Sequence, residues 1–421
     1  MSLLRNVNIQ SSDSFSIDAF GRLRVSEPYN IFDTKNIYDD DGLASNVENQ
    51  PLFFDNQQIS GSGTSTAYNV NQASQSLTVA NNTAGRRIRQ TKMRFNYQPG
   101  KSQEILMTFV FGAQVAGITQ REGYFDDNNG IFLEDNGSTY GLVVRSYVDG
   151  SVSNNRIVKN NWNIDKFDGS GPSGVTIDFT KTQILFIDFA WLGVSRVRVG
   201  FVVNGLIYYA HEFVHANILT TVYMSTPNLP LRSEIINDGT GPERTLVQIC
   251  SSVKSEGGVD DNGSIRYAST NGDQVVCATE NITYAILGLR LKSQYIGATI
   301  NISNISIQIQ SSSEMCEWTF RLNPTVAGTF AYVSETNSAI QVARGATANT
   351  VTNGYSLIGG FINSGGSAVG SSGGSEKDIN NAIRLGSLID GTVDTLVLCA
   401  TPRGGTSNVS VESGITWREI F

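Results

Sequence analysis

Histidine is almost missing from this sequence. The 421 residues hold two, His211 and His215, so any catalytic triad or histidine-rich metal site would have to use that one pair. Cysteine is scarce as well: Cys250, Cys277, Cys316 and Cys399 are scattered with no CxxC spacing, which signals neither a zinc knuckle nor a redox pair. Three of them, Cys250, Cys277 and Cys399, follow apolar residues and read as buried free thiols. Basic residues are few, 30 Lys plus Arg against 38 Asp plus Glu for a net charge of −8. No concentrated basic face is visible, which argues against direct binding of nucleic acid. No apolar run approaches the roughly 18–20 residues that span a bilayer, and Met1-Ser2-Leu3-Leu4-Arg5 lacks the apolar core of a signal peptide. The chain is therefore expected to be soluble, made in a cytosol, and without a membrane partner.

What is present is the composition of a β protein. Hydrophobic residues make up 40 % and charged residues 16 %, with 42 glycines, a balance that suits short strands and tight turns. The length exceeds one ordinary domain. The expected architecture is all-β: an N-terminal arm over residues 1–50, a jelly-roll β-sandwich over 51–265 and a second β-sandwich over 276–421. Strand signals recur at Ile105–Phe111, Gly141–Val148, Ile184–Phe189 and Arg196–His215, separated by Asn-Gly, Asp-Gly and Pro-Gly turns. Asn204-Gly205 predicts a type I′ hairpin. Pairing outward from it sets Val203 against Leu206, Phe201 against Tyr208, Val199 against Ala210 and Arg198 against His211. One face then carries Val197, Val199, Phe201, Val203, Leu206, Tyr208 and Ala210 as core. Thr299–Gln310 alternates except at Ser303-Asn304, where a bulge or tight turn would keep the isoleucines on one face. Ile415, Trp417, Glu419 and Phe421 also alternate, so the chain is expected to end inside a sheet. Gly359–Gly374, rich in Gly and Ser, is expected to be a flexible surface loop.

Each catalytic motif meets a structural objection. His211-Glu212-Phe213-Val214-His215 satisfies H-E-x-x-H, a zinc-peptidase pattern that works only on a helix. On the second arm of a hairpin, positions four apart are separated by about 13 Å, and Glu212 faces the other way. Gly169-Ser-Gly171-Pro-Ser-Gly174 matches GxGxxG, but Val175–Phe179 reads as a strand where the dinucleotide fold needs a helix. Acidic turns at Asp126–Gly130, Asp135–Gly137 and Asp260–Gly263 leave calcium as a candidate ion, although none has EF-hand spacing; otherwise no cofactor is expected. No short strand carries two or three acids on one face, as a glycosidase pair would favour. Tyr140, Tyr147, Trp162 and Tyr267 are candidate sugar-stacking or interface aromatics. The chain is expected not to be an enzyme.

The stretch Ser14-Phe-Ser-Ile-Asp18-Ala-Phe-Gly-Arg22-Leu-Arg-Val-Ser-Glu27-Pro-Tyr-Asn-Ile-Phe32-Asp33 resembles the signature of a family of virion structural proteins of tailed, mostly marine phages and some large DNA viruses. The resemblance continues in Phe189–Phe201, His211–Asn217, Tyr223–Pro230, Gln248–Gly258, Leu289–Tyr295, Trp318–Pro324 and Thr416–Ile420. It implies a particle component whose middle domain looks like a concanavalin-type jelly roll, located in the virion and made in the host cytoplasm. Minor capsid or decoration protein, neck and tail component are all compatible with it, and it brings no catalytic residue. The first segment has the make-up of a docking surface. Phe15, Ile17, Phe20, Leu23, Val25, Ile31 and Phe32 supply apolar anchors, and Arg22, Arg24 and Glu27 directional polar contacts; whether they pack on this chain or on another is left open. Copies of itself, expected as a trimer, and other virion proteins are the expected partners. A lectin-like fibre or adhesin module that binds host glycans is the alternative.

Overall fold

A computed structural model describes residues 28–36, 53–258, 262–310, 314–363, 370–371 and 385–421. Regular structure among them is almost all strand, with no α-helix. None of it includes a helix long and apolar enough to cross a membrane.

The first sandwich packs two antiparallel sheets. The eight-stranded sheet runs in the order β13 (Leu206–Phe213), β12 (Val197–Val203), β11 (Gln183–Phe189), β6 (Gln103–Val110), β15 (Arg244–Glu256), β4 (Ser74–Val79) and β3 (Thr64–Asn69), with β1 (Pro28–Lys35) also paired to β15. The seven-stranded sheet runs β10 (Ser153–Val158), β9 (Tyr140–Ser146), β8 (Gly130–Asp135), β7 (Ile118–Phe125), β14 (Leu231–Asn237), β5 (Gly85–Thr91) and β2 (Phe54–Gly61). Period-two alternation sends Ile105, Met107 and Phe109 of β6 and Leu185, Ile187 and Phe189 of β11 toward Ile131 and Leu133 of β8, forming one core.

The hairpin at Asn204-Gly205 forms with both turn residues at positive φ, +52° and +82°. Its register differs from the expected one beyond Gly200. A bulge places Val199 opposite His211 and Arg198 opposite Glu212. Gly200 permits the bulge, because a Cβ there would lie 2.1 Å from the Tyr208 carbonyl oxygen. The shift still leaves Val197, Val199, Phe201 and Ala210 buried, with Val203 and Tyr208 packed against the core; Leu206, at the turn, is exposed instead. Val175–Phe179 is not a strand. It makes one isolated bridge, at Thr176, while Ile177 and Phe179 fill the core. The preceding glycine-rich stretch is a turn wrapped around Asp165, whose carboxylate accepts the N–H groups of Phe167 and Ser173 at 2.7 Å each.

The second sandwich has its own core, built from residues between Ala268 and Trp417. One sheet runs β16 (Ser264–Ser269), β28 (Val409–Ile420), β19 (Thr299–Ile309) and β26 (Gly370–Ser371), with β17 (Val275–Cys277) on β28. The other runs β22 (Val333–Ser334), β23 (Ile340–Arg344), β18 (Tyr284–Leu291), β27 (Thr395–Arg403), β20 (Met315–Leu322) and β25 (Tyr355–Asn363). A two-stranded ladder of β21 (Thr325–Val326) and β24 (Val351–Thr352) lays Val326 and Val351 over Ala285, Val397 and Cys399 on that sheet's outer side. The register of β19 on β28 shifts between Ile302 and Asn304, so Ile300, Ile302, Ile305 and Ile307 all stay buried. β28 runs almost to the chain end with Ile415, Trp417 and Glu419 buried and Phe421 exposed.

Several expected boundaries move. Residues 28–36, placed in the arm, belong to the first sandwich through β1. Residues 264–269 join the second, because β16 pairs with β28. Gly359 and Gly360 are not loop but part of β25, paired with Thr319 and Trp318; a Cβ on Gly360 would lie 3.0 Å from the Trp318 indole nitrogen, so glycine lets the strand pass over that ring. Cys316 is a buried thiol, whereas Cys250 is only half-buried, beside a bulge in β15. Burial pushes the Cys316 and Cys399 thiols up to about 12, as expected of packing rather than reactive cysteines.

The two sandwiches meet at a buried ion pair. Lys92, just after β5, lies 3.3 Å from Asp394, just before β27, each side chain 4 % exposed. Asp394 also accepts Asn323 Nδ2 at 2.7 Å and the Gly386 N–H at 3.2 Å, while the Lys92 carbonyl accepts the Ser387 N–H. Asp55 of β2 accepts the Ile389 N–H at 2.8 Å, and Asn228 donates to the Gly297 carbonyl at 3.1 Å. Breaking one side of a buried pair leaves an uncompensated charge, which costs about 3–5 kcal/mol. Asp394→Ala should therefore destabilise the chain by about that amount in chemical denaturation, and Lys92→Met/Asp394→Asn should lose less than Lys92→Met and Asp394→Asn lose together; a double loss equal to that sum would show that the pair is not coupled.

Candidate functional site

Of the docking residues expected from the sequence, Ile31 and Phe32 lie among the described residues, and Ile31 packs partly buried against the core of the first sandwich. Phe15, Ile17, Phe20, Arg22, Leu23, Arg24, Val25 and Glu27 lie outside them. Phe32 packs within its own chain, with ring centroids 6.0 Å from Phe53, 6.4 Å from Phe54 and 5.2 Å from Phe95. At the end of β1, Asn36 is 1 % exposed and donates to Gln248 Oε1 at 2.8 Å and to the Ile249 carbonyl at 2.9 Å. Its own carbonyl oxygen Oδ1 accepts Arg89 Nη2 at 3.2 Å, and that guanidinium lies 4.1 Å above the Phe54 ring. The strand that closes the signature segment is thus fixed to the sandwich by ladder bonds, aromatic packing and a buried polar layer together.

The H-E-x-x-H stretch lies on β13 and the loop after it, not on a helix. The His211 ring accepts the Asn163 N–H at 3.1 Å, and the His215 ring contacts the Ser195 carbonyl at 2.6 Å and stacks on Tyr223 at 4.2 Å. Burial lowers both imidazole pKa values, so both rings are neutral packing groups near pH 7. Among the described residues no three His, Cys, Asp or Glu side chains are grouped as a metal would need. In the acidic turns, Asp126 and Asp135 spend their oxygens on protein donors. Asp126 takes the Asn128 and Asn129 N–H groups and Arg94; Asp135 takes Gln114, Gln120 and the Gly137 N–H.

Two surfaces are set up for interaction. The first is apolar: Leu192, Val194, Val214, Ile218 and Leu219 are all exposed on two loops that brace each other. The Tyr223 N–H bonds the Gly193 carbonyl, and His215 bonds Ser195. The edge strand β13 leads into the second loop; Asn163, Ile164 and Asp165 hydrogen-bond its Ala210 and Glu212 backbone groups, and Leu206 and Ile207 are exposed at its other end, by the Asn204-Gly205 turn. Exposed apolar groups clustered on braced loops mark a contact surface. The second surface is a cleft of about 440 Å³ between the sandwiches, lined by Arg94, Asp126, Asn128, Asn129, Tyr147, Ser225, Thr226 and Asn228 from one side and by Gln294, Tyr295, Gly297 and Phe421 from the other. Of the four aromatics singled out in the sequence, Tyr147 reaches this cleft. Trp162 is core, Tyr140 packs on Phe179 at 4.5 Å, and Tyr267 covers Gly414 on β28.

Carboxylates gather across strands, where a strand-by-strand reading misses them. On the outer face of the seven-stranded sheet, Arg121 of β7 bridges Glu134 of β8 and Glu234 of β14. Arg86 holds Glu234 at 2.6 Å, and Arg156 holds Glu134 at 2.7 Å. Burial alone would raise the Glu234 pKa, but Arg121, Arg86 and Arg232 outweigh it and keep the group ionised. On the outer face of the other sheet, Glu104 stands opposite Asp188 in the ladder. Burial, with the nearby Glu256 and Asp188 charges, raises Glu104 to about 7. Asp188 is held by Arg198 and by the Tyr209 hydroxyl at 3.1 Å.

No protein-family model matches the chain, and no curated protein matches it in sequence. Several solved structures are similar to about half of the chain. The Bacillus licheniformis β-glucanase is 10 % identical over 53 % of this chain and 97 % of that one, with a TM-score of 0.33. The CBM2 module of the Lactobacillus casei BL23 phage J-1 evolved Dit is 8 % identical over 56 % and 98 %, with a TM-score of 0.36. A legume lectin-like domain from Entamoeba histolytica is 11 % identical over 48 % and 89 %, with a TM-score of 0.28. The class defined is a jelly-roll β-sandwich, and the likeness reaches no further than that fold. The expectation that the chain is not an enzyme is corrected here: the structures it is similar to include glycoside hydrolases, the β-glucanase and a Bacteroides ovatus GH16 protein among them. Neither a scarcity of histidine nor a lack of paired acids on single strands bears on carboxylates that neighbouring strands bring together.

Glu104 carries a pH signature. Its folded pKa lies above the unfolded one, so the native state holds the extra proton and stability falls as pH rises from about 4.5 to about 7. Glu104→Gln should raise the Tm relative to the unsubstituted chain at pH 8 and not at pH 4; a difference independent of pH would contradict the assigned burial and like-charge crowding.

Proposed function

We propose that this chain is a structural component of a virus particle, a minor capsid or decoration protein or a part of the neck or tail. It assembles with copies of itself and with other particle proteins. The observation that carries this reading is the apolar loop surface at the end of β13: five exposed aliphatic side chains on two loops that brace each other. Such a surface is a liability on an isolated chain and an asset where a neighbour covers it. The signature segment supports the reading from the other direction. It leads straight into β1, whose ladder and buried Asn36 transmit to the sandwich any hold a partner takes on the preceding residues. A trimer is the oligomer we expect, through cyclic symmetry that closes the contact.

Leu192→Asp/Ile218→Asp places charge on exposed positions and should leave the Tm within a few degrees, while the double variant fails to enter particles or to form the oligomer in light scattering. Removal of residues 1–26, which spares β1, should likewise leave a folded body that is not incorporated. Normal incorporation of both variants would overturn the proposal.

A further inference from the structure

We propose that the cleft between the two sandwiches binds a neutral oligosaccharide. Three partly exposed aromatic rings line it: Tyr147, which follows β9 in the first sandwich, and Tyr295 and Phe421 in the second. Tyr295 and Phe421 meet edge to face at 6.2 Å, so only one ring face is spent on the contact. Exposed ring faces suit the flat C–H surface of a pyranose, and the tyrosine hydroxyl keeps a polar tip beside its hydroxyl groups. The volume of about 440 Å³ lies in the ~300–1,000 Å³ range of small-ligand sites.

The polar half of the cleft is held in place before any ligand arrives. The turn between β7 and β8 is gripped from three sides: Asp126 by Arg94 at 2.6 Å, Asp127 by Arg86 and Arg232 at 2.6 Å each, and Asn129 by Ser225, which it meets at 2.9 Å through both its amide nitrogen and its carbonyl oxygen. Binding there loses little order, which favours affinity for weakly attractive ligands. Charge selects the ligand class. The only ionisable acid and base among the lining residues, Asp126 and Arg94, neutralise each other, and the remaining polar groups are amides and hydroxyls. A carboxylated or phosphorylated ligand would meet no free cation in the cleft.

The test is an array of uncharged and sialylated glycans probed with the full chain, followed by titration of the best neutral hit. Neutral glycans should bind and sialylated ones should not. Tyr147→Ala and Tyr295→Ala, one on each sandwich, should each weaken binding at least tenfold with the Tm unchanged. Binding of sialylated glycans alone, binding of none, or binding that survives both substitutions would overturn the inference. Particle incorporation of the same variants separates this site from the assembly surface: it should be normal even where glycan binding is lost.

Discussion

The contact between Lys92 and Asp394 determines what this molecule can present. Two sandwiches with separate cores have no hydrophobic reason to keep one orientation, and the residues between them are mostly polar. A buried ion pair supplies the reason through its geometry: each charge is tolerated out of water only while the other stays in place. Gly386 reinforces the constraint, since a Cβ there would lie 2.4 Å from the Lys92 carbonyl oxygen. With the sandwiches locked, the turn at Asp126–Asn129 faces the Tyr295–Phe421 pair, and a cleft exists where free domains would leave two unrelated surfaces.

The same economy of charge runs through the first sandwich. With few cations in the sequence, Arg86, Arg121, Arg156 and Arg232 are concentrated on one sheet face around Glu134, Glu234 and Asp127. Asp127, although more than half exposed, is held at about 2 because Arg232 and Arg86 outweigh its desolvation. Arg145, packed 4.8 Å over Phe132 with arginines as neighbours, is lowered to about 10 by burial and by Arg121. The network stiffens the sheet whose turns build the cleft.

Much of this was legible in the sequence because period-two alternation is local. The all-β class, the hairpin at Asn204-Gly205, the bulge in Thr299–Ile309 and the terminal strand all follow from spacing within a dozen residues. What escaped were relations between distant segments. The bulge at Gly200 depends on how β13 closes on β12, Gly359 and Gly360 are strand because Trp318 lies beneath them, and Val175–Phe179 leaves the sheet to cap the core. The cleft joins Tyr147 to Phe421 and was invisible for the same reason; only the exposed aromatic Tyr147 hinted at it. The docking residues before Pro28 lie outside the described residues, so the structure speaks for that segment through Ile31 and Phe32.

A particle reconstruction by cryo-electron microscopy, at a resolution that shows side chains, tests the central claim most directly. The account predicts Leu192, Val194, Val214 and Ile218 covered by a neighbouring subunit, with the Tyr147–Tyr295 cleft open to solvent. A reconstruction in which that apolar loop surface faces water, or in which the chain is missing from the particle, would contradict it.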